Sequence, residues 1–198
     1  MADQLATPED LAARLQSDLD LATAEVLIEA ATAVVQAVTG QRIVEVLDDE
    51  VILDIDAFHT GGVYLDLPER PVTEVSTISI GATSVTDWVP VLRRARVWRA
   101  DGWRSTLTAY PSQPSTVTVV YSHGYPAGHQ RLQLARGTVL ALAAPLYSNP
   151  GSATSVKIDD YAEAYEAASA RMEASPSLRT LLRRHYGRLP GTAVLTAG

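Results

Sequence analysis

Residues 114–146 read PSTVTVVYSHGYPAGHQRLQLARGTVLALAAPL, and they contain the change from strand to helix around which the predicted fold is arranged. Its first part, Ser115–Tyr121, is rich in β-branched residues that alternate with a period of two, which predicts a strand. A corner follows at Ser122–Pro126, where glycine and proline interrupt the pattern. From Leu132 to Leu146 the apolar residues recur at helical spacing. The stretch therefore predicts a strand that ends abruptly and leads into a core helix.

The N-terminal segment predicts two helices. In Thr7-Pro8-Glu9-Asp10, the threonine can cap a helix, the proline suits its first turn and the second acid can close a capping box. A second helix is predicted over about residues 22–38, where apolar residues recur at helical spacing. Gly40 should end this helix in the left-handed conformation.

Residues 43–121 change to a period of two and predict seven strands. The first two, Ile43–Leu47 and Val51–Ile55, are expected to pair across a turn at Asp48–Glu50. The remaining five are predicted at residues 63–67, 72–80, 89–92, 97–99 and 115–121.

The C-terminal third again predicts helices. Pro145 should end or kink the core helix, because an interior proline removes a hydrogen bond and clashes with the preceding turn. A helix is predicted at Ala162–Ala174, although it has few large apolar residues. Another helix should start at Ser175-Pro176, with leucines along one side and arginines around the rest.

These elements predict an α+β fold. N-terminal and C-terminal helices form a frame, and an antiparallel β-rich region, a small sandwich or barrel, is inserted into it. The predicted segments are N-terminal helices at 1–42, the β-rich insertion at 43–121, C-terminal helices at 122–188 and a flexible tail at 189–198.

Composition excludes several classes of protein. The 198 residues include no cysteine, which excludes disulfides, a thiolate nucleophile and a cysteine-ligated zinc site. The first residues lack the layout of a signal peptide. No apolar run is expected to approach the ~20 residues that span a bilayer. We therefore expect a protein made and used in a cytoplasm, without membrane insertion.

The formal net charge of −7 is divided unevenly along the chain. Residues 1–92 carry −14, and residues 93–198 carry +7. An acidic half and a basic half could dock head to tail between copies, or they could neutralise each other within one folded chain. The sequence leaves both interpretations open.

Two small groups of residues invite a catalytic or metal-binding interpretation. Ser122 and His123 are adjacent, but neighbouring side chains of an extended chain point to opposite sides, and the G-x-S-x-G elbow is absent. Asp54, Asp56 and His59 could offer oxygen and nitrogen ligands to a cation, but solvated acids at a strand edge are favoured. We therefore expect no catalytic residue, no metal and no cofactor.

A basic and aromatic run at Arg93–Arg99 continues to Trp103. Arginine and aromatic side chains can follow phosphates and stack on bases, but they are also enriched in protein interfaces. Because the whole protein is acidic, a contact with protein or a solvated hairpin is favoured over nucleic acid.

The order of several motifs resembles that of the head-to-tail connector, or adaptor, proteins of long-tailed bacteriophages. The first is the entry LATPEDLAARL at Leu5–Leu15, which leads to an alanine-rich helix ending in VTGQ at Val38–Gln41. The next are the proline corner LPERPVTEV at Leu67–Val75 and the stretch VTVVYSHGYP at Val117–Pro126. The last is LLRRHYGR at Leu181–Arg188. Together they extend over most of the chain.

The resemblance implies a structural virion protein that is not an enzyme. Its copies would form a ring of about twelve under the portal protein, contact neck or tail proteins, and leave a channel through which genomic DNA passes without sequence-specific binding. The protein would be located in the neck of the virion after assembly in the host cytoplasm. The alternatives are a neck stopper, a tail terminator, or a β-rich ligand-binding module that uses Trp88, Trp98 and Trp103.

Two sets of contact residues follow as hypotheses. The set expected to contact the portal is Leu178, Arg179, Leu181, Leu182, Arg183, Arg184, Tyr186 and Arg188. The set expected to contact another subunit or the tail is Arg93, Arg94, Arg96, Trp98, Arg99 and Trp103.

Overall fold

The computed structural model describes residues 4–55, 62–103, 115–148 and 161–187 of the chain. These ranges contain five α-helices and seven β-strands, so the fold is α+β, as predicted. The chain divides into two compact units. Unit 1 comprises Met1–Val44 and Tyr125–Gly187, and unit 2 comprises Glu45–Gly124. The tail predicted at 189–198 lies outside the described residues.

Unit 1 is helical, and its second helix is central. The helices are α1 (Pro8–Leu15), α2 (Leu21–Thr39), α3 (Gln133–Ser148), α4 (Tyr161–Glu173) and α5 (Pro176–Tyr186). Because α2 contacts each of the other four helices, it organises the core of this unit.

The predicted start of α1 and end of α2 are confirmed. The Asp10 N–H donates a hydrogen bond to Thr7 Oγ1 at 3.3 Å, and the Thr7 N–H donates one to the Asp10 carboxylate at 3.1 Å, which completes the capping box. The Arg136 guanidinium also pairs with the Asp10 carboxylate, so the capping residue links α1 to α3. Gly40 has φ 67° and ends α2 in the left-handed conformation.

By length and composition alone, α2 could cross a membrane, so the expectation that no apolar run reaches this length is wrong. One such helix is weak evidence for a membrane span, because the central helix of a folded unit has the same composition. Here nine residues of α2, seven of them apolar, are buried in the unit 1 core, whereas Leu21, Ala22 and Ala37 are exposed. The buried residues of α2 are Ala24, Leu27, Ile28, Ala30, Ala31, Thr32, Val34, Val35 and Thr39.

The core helix α3 is confirmed, but it does not end at Pro145. It continues to Ser148, and Val139 and Leu142 are buried as their spacing predicted. Pro145 lies in the last turn of the helix, where it removes only the hydrogen bond to the carbonyl four residues earlier, and the helix ends three residues later.

Small side chains hold α4 in unit 1. Its buried residues, Ala164, Ala168 and Met172, recur every four positions and therefore lie on one face. The main neighbour of α4 is α2, whose buried alanines also allow close approach. The predicted helix is confirmed, and its shortage of large apolar residues reflects close packing of alanines.

Unit 2 is formed by two antiparallel sheets. Its strands are β1 (Val46–Ile55), β2 (Tyr64–Asp66), β3 (Val72–Ile80), β4 (Thr83–Val85), β5 (Trp88–Val91), β6 (Arg96–Arg99) and β7 (Ser115–His123). One sheet has the order β1-β7-β3-β4 and the other β2-β6-β5. Buried residues from both sheets form one hydrophobic cluster, as in a small sandwich.

The predicted turn at Asp48–Glu50 is wrong, because these acids lie inside the single strand β1. The register between β1 and β7 shifts just before Asp49, which marks a β-bulge. Asp48 has a φ of 49°. Its N–H donates to Ser122 Oγ at 3.1 Å, and its carboxylate accepts a hydrogen bond from the Ser76 hydroxyl at 2.9 Å. Sequence-distant partners therefore hold the chain in a bulge where its composition suggested a turn.

The strand β7, which begins the stretch at residues 114–146, lies between β1 and β3. Val117, Val119 and Tyr121 point into the core and are fully buried, as the period of two predicted. The strand extends beyond its predicted end to His123. Gly124, with φ 90°, then forms the corner, and its N–H donates to the Pro71 carbonyl at 2.9 Å.

Candidate contact surfaces

The helix α5 carries most of the residues predicted to contact the portal, and two of these belong to the core instead. Leu182 and Tyr186 are buried. The Tyr186 hydroxyl donates a hydrogen bond to the Arg131 carbonyl, and burial raises the pKa of this tyrosine. Both side chains therefore anchor α5 within unit 1 and have little surface to offer a partner.

The remaining α5 residues lie on two different flanks of the helix. Arg179 and Arg183 are four positions apart and share one flank. Leu181, which is 40% exposed, and Arg184 lie on the side away from them. Half-buried Leu178 packs against the unit 1 core. Arg188 lies outside the described residues.

Beside the arginine flank of α5 lies a groove between α2, α4 and α5, which we call the α2–α4–α5 groove. Its volume is about 160 Å³. Buried Val34 and Met172 and half-buried Val38 form an apolar floor. The charged residues of the rim are Glu173, Arg179 and Arg183.

A hydrogen bond fixes one arginine of the groove, Arg183. Arg183 Nε donates to the Val38 carbonyl at 3.3 Å, which holds the guanidinium over the end of α2. Among the described residues, neither Arg179 nor Arg183 has an ion-pair partner, so the rim keeps an excess of positive charge.

In unit 2, Trp103 is a core residue, although it was predicted to contact another subunit. Its side chain is 3% exposed, and its Nε1 donates to the Val97 carbonyl at 3.3 Å. The Arg99 guanidinium lies 5.8 Å from the Trp103 ring and pairs with Asp87 at 3.0 Å. The hydrogen bond that Arg99 donates to the Asp87 carboxylate is the largest cause of the lowered pKa of Asp87. Trp103 and Arg99 therefore stabilise the hairpin internally.

The outer face of the β2-β6-β5 sheet presents a row of apolar side chains. Trp98 in β6 is the register partner of both Tyr64 in β2 and Val89 in β5, so the three lie on one face. Tyr64 is 47% exposed and Val89 is 53% exposed. Arg96, on the same face, pairs with Asp66 and lies 5.7 Å from the Tyr64 ring.

Tyr64 and Val89 were missed by the sequence analysis. Each is a single apolar residue in a short strand, and only the register across three strands shows that they join Trp98. Arg93 and Arg94, which were predicted here, are exposed in a short 3₁₀ turn, Leu92–Arg94. Among the described residues neither has an ion-pair partner.

The three tryptophans named in the ligand-binding alternative differ in exposure. Trp88 is half-buried, and its Nε1 donates to the Val85 carbonyl at 2.8 Å. Trp103 is buried and Trp98 is half-buried. An aromatic ligand site would require rings that are open on one face.

Ser122 and His123 occupy structural positions. His123 is fully buried, and its Nε2 lies 3.2 Å from the Asp49 carboxylate. Ser122 Oγ accepts the hydrogen bond from Asp48 described above. A buried imidazole next to a strand carboxylate supports the sheet and cannot reach a substrate in solvent.

The possible cation site falls largely outside the described residues, because Asp56 and His59 are not described. Among the described residues, no group of three or more histidines, aspartates or glutamates could hold a metal ion.

No protein-family model and no curated protein matches this chain. Among solved structures, one similar chain is from the neck of an empty gene transfer agent particle computed with C6 symmetry. It is 21% identical, with a TM-score of 0.48, over 77% of this chain and 80% of that chain. A second, from the virion of a native gene transfer agent particle, is 20% identical, with a TM-score of 0.48, over 75% and 77%.

A third similar chain is from the neck of a native gene transfer agent particle computed with C12 symmetry. It is 21% identical, with a TM-score of 0.45, over 81% of this chain and 86% of that chain.

Proposed function

We propose that this chain is a head-to-tail adaptor of a long-tailed bacteriophage. Copies form a ring beneath the portal, connect the capsid to neck or tail proteins and leave a channel for DNA. The observation that carries the proposal is the order of sequence motifs, from the entry at Leu5–Leu15 to the arginine-rich end that begins at Leu181.

The α+β layout of two units supports the proposal. A ring subunit must contact two neighbouring copies and at least two other partners, so it needs several separate surfaces. The described residues offer three surfaces. They are the flank of α5 that carries Leu181 and Arg184, the α2–α4–α5 groove, and the outer face of the β2-β6-β5 sheet.

Within this role, the flank of α5 that carries Leu181 and Arg184 contacts the portal. An exposed leucine beside an arginine is a typical composition for the centre of a protein interface. The buried residues Leu182 and Tyr186 hold the helix rigidly against unit 1, so the flank is presented without a large cost in conformational entropy.

A portal-binding experiment tests the proposal. The purified chain is mixed with the portal ring encoded in the same genome, and the products are separated by sedimentation and imaged by electron microscopy. We expect a ring of this chain on one end of the portal. A chain that never adds to the portal would refute the adaptor function.

The α5 contact needs surface substitutions, because removal of the whole helix would also remove core residues. The double variant Leu181→Asp, Arg184→Glu should reduce portal binding by roughly tenfold or more. Arg14→Glu on the exposed side of α1 is the matched control and should bind normally. Unchanged binding of the double variant would refute the α5 contact alone.

A further inference from the structure

The α2–α4–α5 groove is open. Val34, Val38 and Met172 lie at its floor, and at its rim two arginines outnumber one glutamate, Glu173. A cavity of about 150 Å³ with aliphatic walls accepts a molecule the size of benzene. The groove, at about 160 Å³, is therefore large enough for one aliphatic side chain. Its two arginines favour acids on either side of that side chain.

The chain itself carries an element with this chemistry. Leu47 is 69% exposed, the highest value for any large apolar side chain in the described part of the chain. It lies between Glu45 and Glu50 along the chain, and among the described residues neither glutamate has an ion-pair partner. Because Leu47 is exposed in a single copy, its apolar surface is available to another copy.

The bulge in β1 explains how Leu47 is presented. Leu47 and Asp48 fall at the register shift, which interrupts the alternation that would otherwise place side chains on the two faces of the sheet. The hydrogen bond from the Asp48 N–H to Ser122 Oγ fixes the backbone there, and the one from the Ser76 hydroxyl holds the Asp48 carboxylate. The leucine is therefore held on an ordered segment, which lowers the entropy lost on binding.

We propose that Leu47 of one copy inserts into the α2–α4–α5 groove of the next copy, with Glu45 and Glu50 meeting Arg179 and Arg183. The two surfaces differ, so the contact is heterologous and leaves a free groove at one end and a free Leu47 at the other. Repetition of such a contact closes a ring or extends a filament. The inference deepens the proposed function, since it rests on a ring of identical copies.

Disulfide cross-linking tests the contact directly, because the chain contains no native cysteine. Val46→Cys, which keeps Leu47 and adjoins it, is mixed with Ala37→Cys in another preparation, since Ala37 is exposed and lines the groove. Disulfides need Cα atoms within about 7 Å, so only a seated segment can cross-link efficiently. We expect a covalent dimer in concentrated solution, at several times the yield of the control pairs.

Each control pair keeps one cysteine of the test pair and moves the other to a surface outside the proposed contact. Gln133→Cys is exposed on α3 and does not line the groove, and Ser84→Cys is exposed in β4. Val46→Cys with Gln133→Cys, and Ser84→Cys with Ala37→Cys, report random collision. Equal yields from the test pair and these controls would overturn the contact.

Charge reversal gives a second test that uses folded chains. Glu50→Arg or Arg183→Glu should each lower the cross-linking yield roughly threefold, and the two changes together, one on each partner, should restore it. Failure of the combined change to restore any yield would refute the assigned pairing.

The portal experiment separates this contact from the proposed function. If the chain adds to the portal but Val46→Cys and Ala37→Cys do not cross-link in concentrated solution, the groove contact is wrong and the adaptor function stands. If they cross-link but the chain does not add to the portal, the copies contact each other as inferred and the adaptor function is wrong.

Discussion

At the scale of single residues, His123 changes from a candidate for chemistry to a support of the sheet. It is fully buried in β7, lies 3.2 Å from the Asp49 carboxylate, and its ring centre is 5.2 Å from that of Tyr121. The sequence alone did not predict that the His123 side chain would be buried. The strand extends two residues farther than its alternation predicted, and β1 and β3 cover both of its edges.

We expect His123→Ala to lower the free energy of unfolding by about 2–4 kcal/mol, because it leaves a cavity and removes the imidazole that contacts the Asp49 carboxylate. Urea denaturation followed by tryptophan fluorescence measures the loss. The matched control is His185→Ala, which removes an exposed imidazole and should change stability by less than about 0.5 kcal/mol. Equal effects of the two substitutions would show that the environment of His123 contributes nothing.

A second residue, Asp20, makes the stability of α2 depend on pH. Hydrogen bonds from the Thr23 hydroxyl and from the Thr23 N–H stabilise its carboxylate and lower the pKa of Asp20. Because the folded pKa is below the unfolded one, the charged cap stabilises the fold above about pH 4, and this contribution is lost as pH falls through the folded pKa.

Asp20→Asn keeps a capping side chain but removes its titration. We expect this variant to be less stable than the wild type at pH 7, and the difference to disappear below the folded pKa of Asp20. Urea midpoints of both proteins at neutral and acidic pH measure the change. A difference that stays constant across this range would contradict the assigned role.

At the scale of elements, helices were predicted more accurately than strands. The start of α1 and the end of α2 depend on local capping residues, which the sequence displays. The β1 bulge depends on Ser76 and Ser122, which are distant in sequence, so a local pattern of acids could only suggest a turn. The predicted contact residues show the same difference. The sequence shows where the arginines are, but their exposure depends on how distant elements pack.

The helix α4 offers the sharpest test at this scale, because alanines hold it. Ala164→Leu should lower the free energy of unfolding by about 1–3 kcal/mol, since a larger side chain cannot fit between α4 and its neighbours. The matched control is Ala162→Leu on the exposed side of the same helix. Thermal denaturation compares the two, and a loss that is no greater for Ala164→Leu would contradict close packing of α4.

At the scale of the whole molecule, each unit has its own hydrophobic cluster, and within the described residues the chain crosses between the units at two points. One crossing follows Val44 and the other precedes Tyr125. These two residues form a parallel bridge, and the Tyr125 N–H donates to the Ile43 carbonyl at 2.9 Å. The two ends of unit 1 at the crossings are therefore adjacent.

This adjacency predicts that unit 1 folds without unit 2. Replacement of residues 45–124 by about three glycines spans the gap, because an extended chain covers about 3.3–3.6 Å per residue. The shortened chain keeps the complete cluster around α2, so we expect a helical circular-dichroism spectrum and cooperative unfolding. Adding Val139→Asp to the shortened chain should abolish the transition, whereas Ala141→Asp, exposed on the same helix, should preserve it. A shortened chain that unfolds without cooperativity would show that the helical core depends on the β unit.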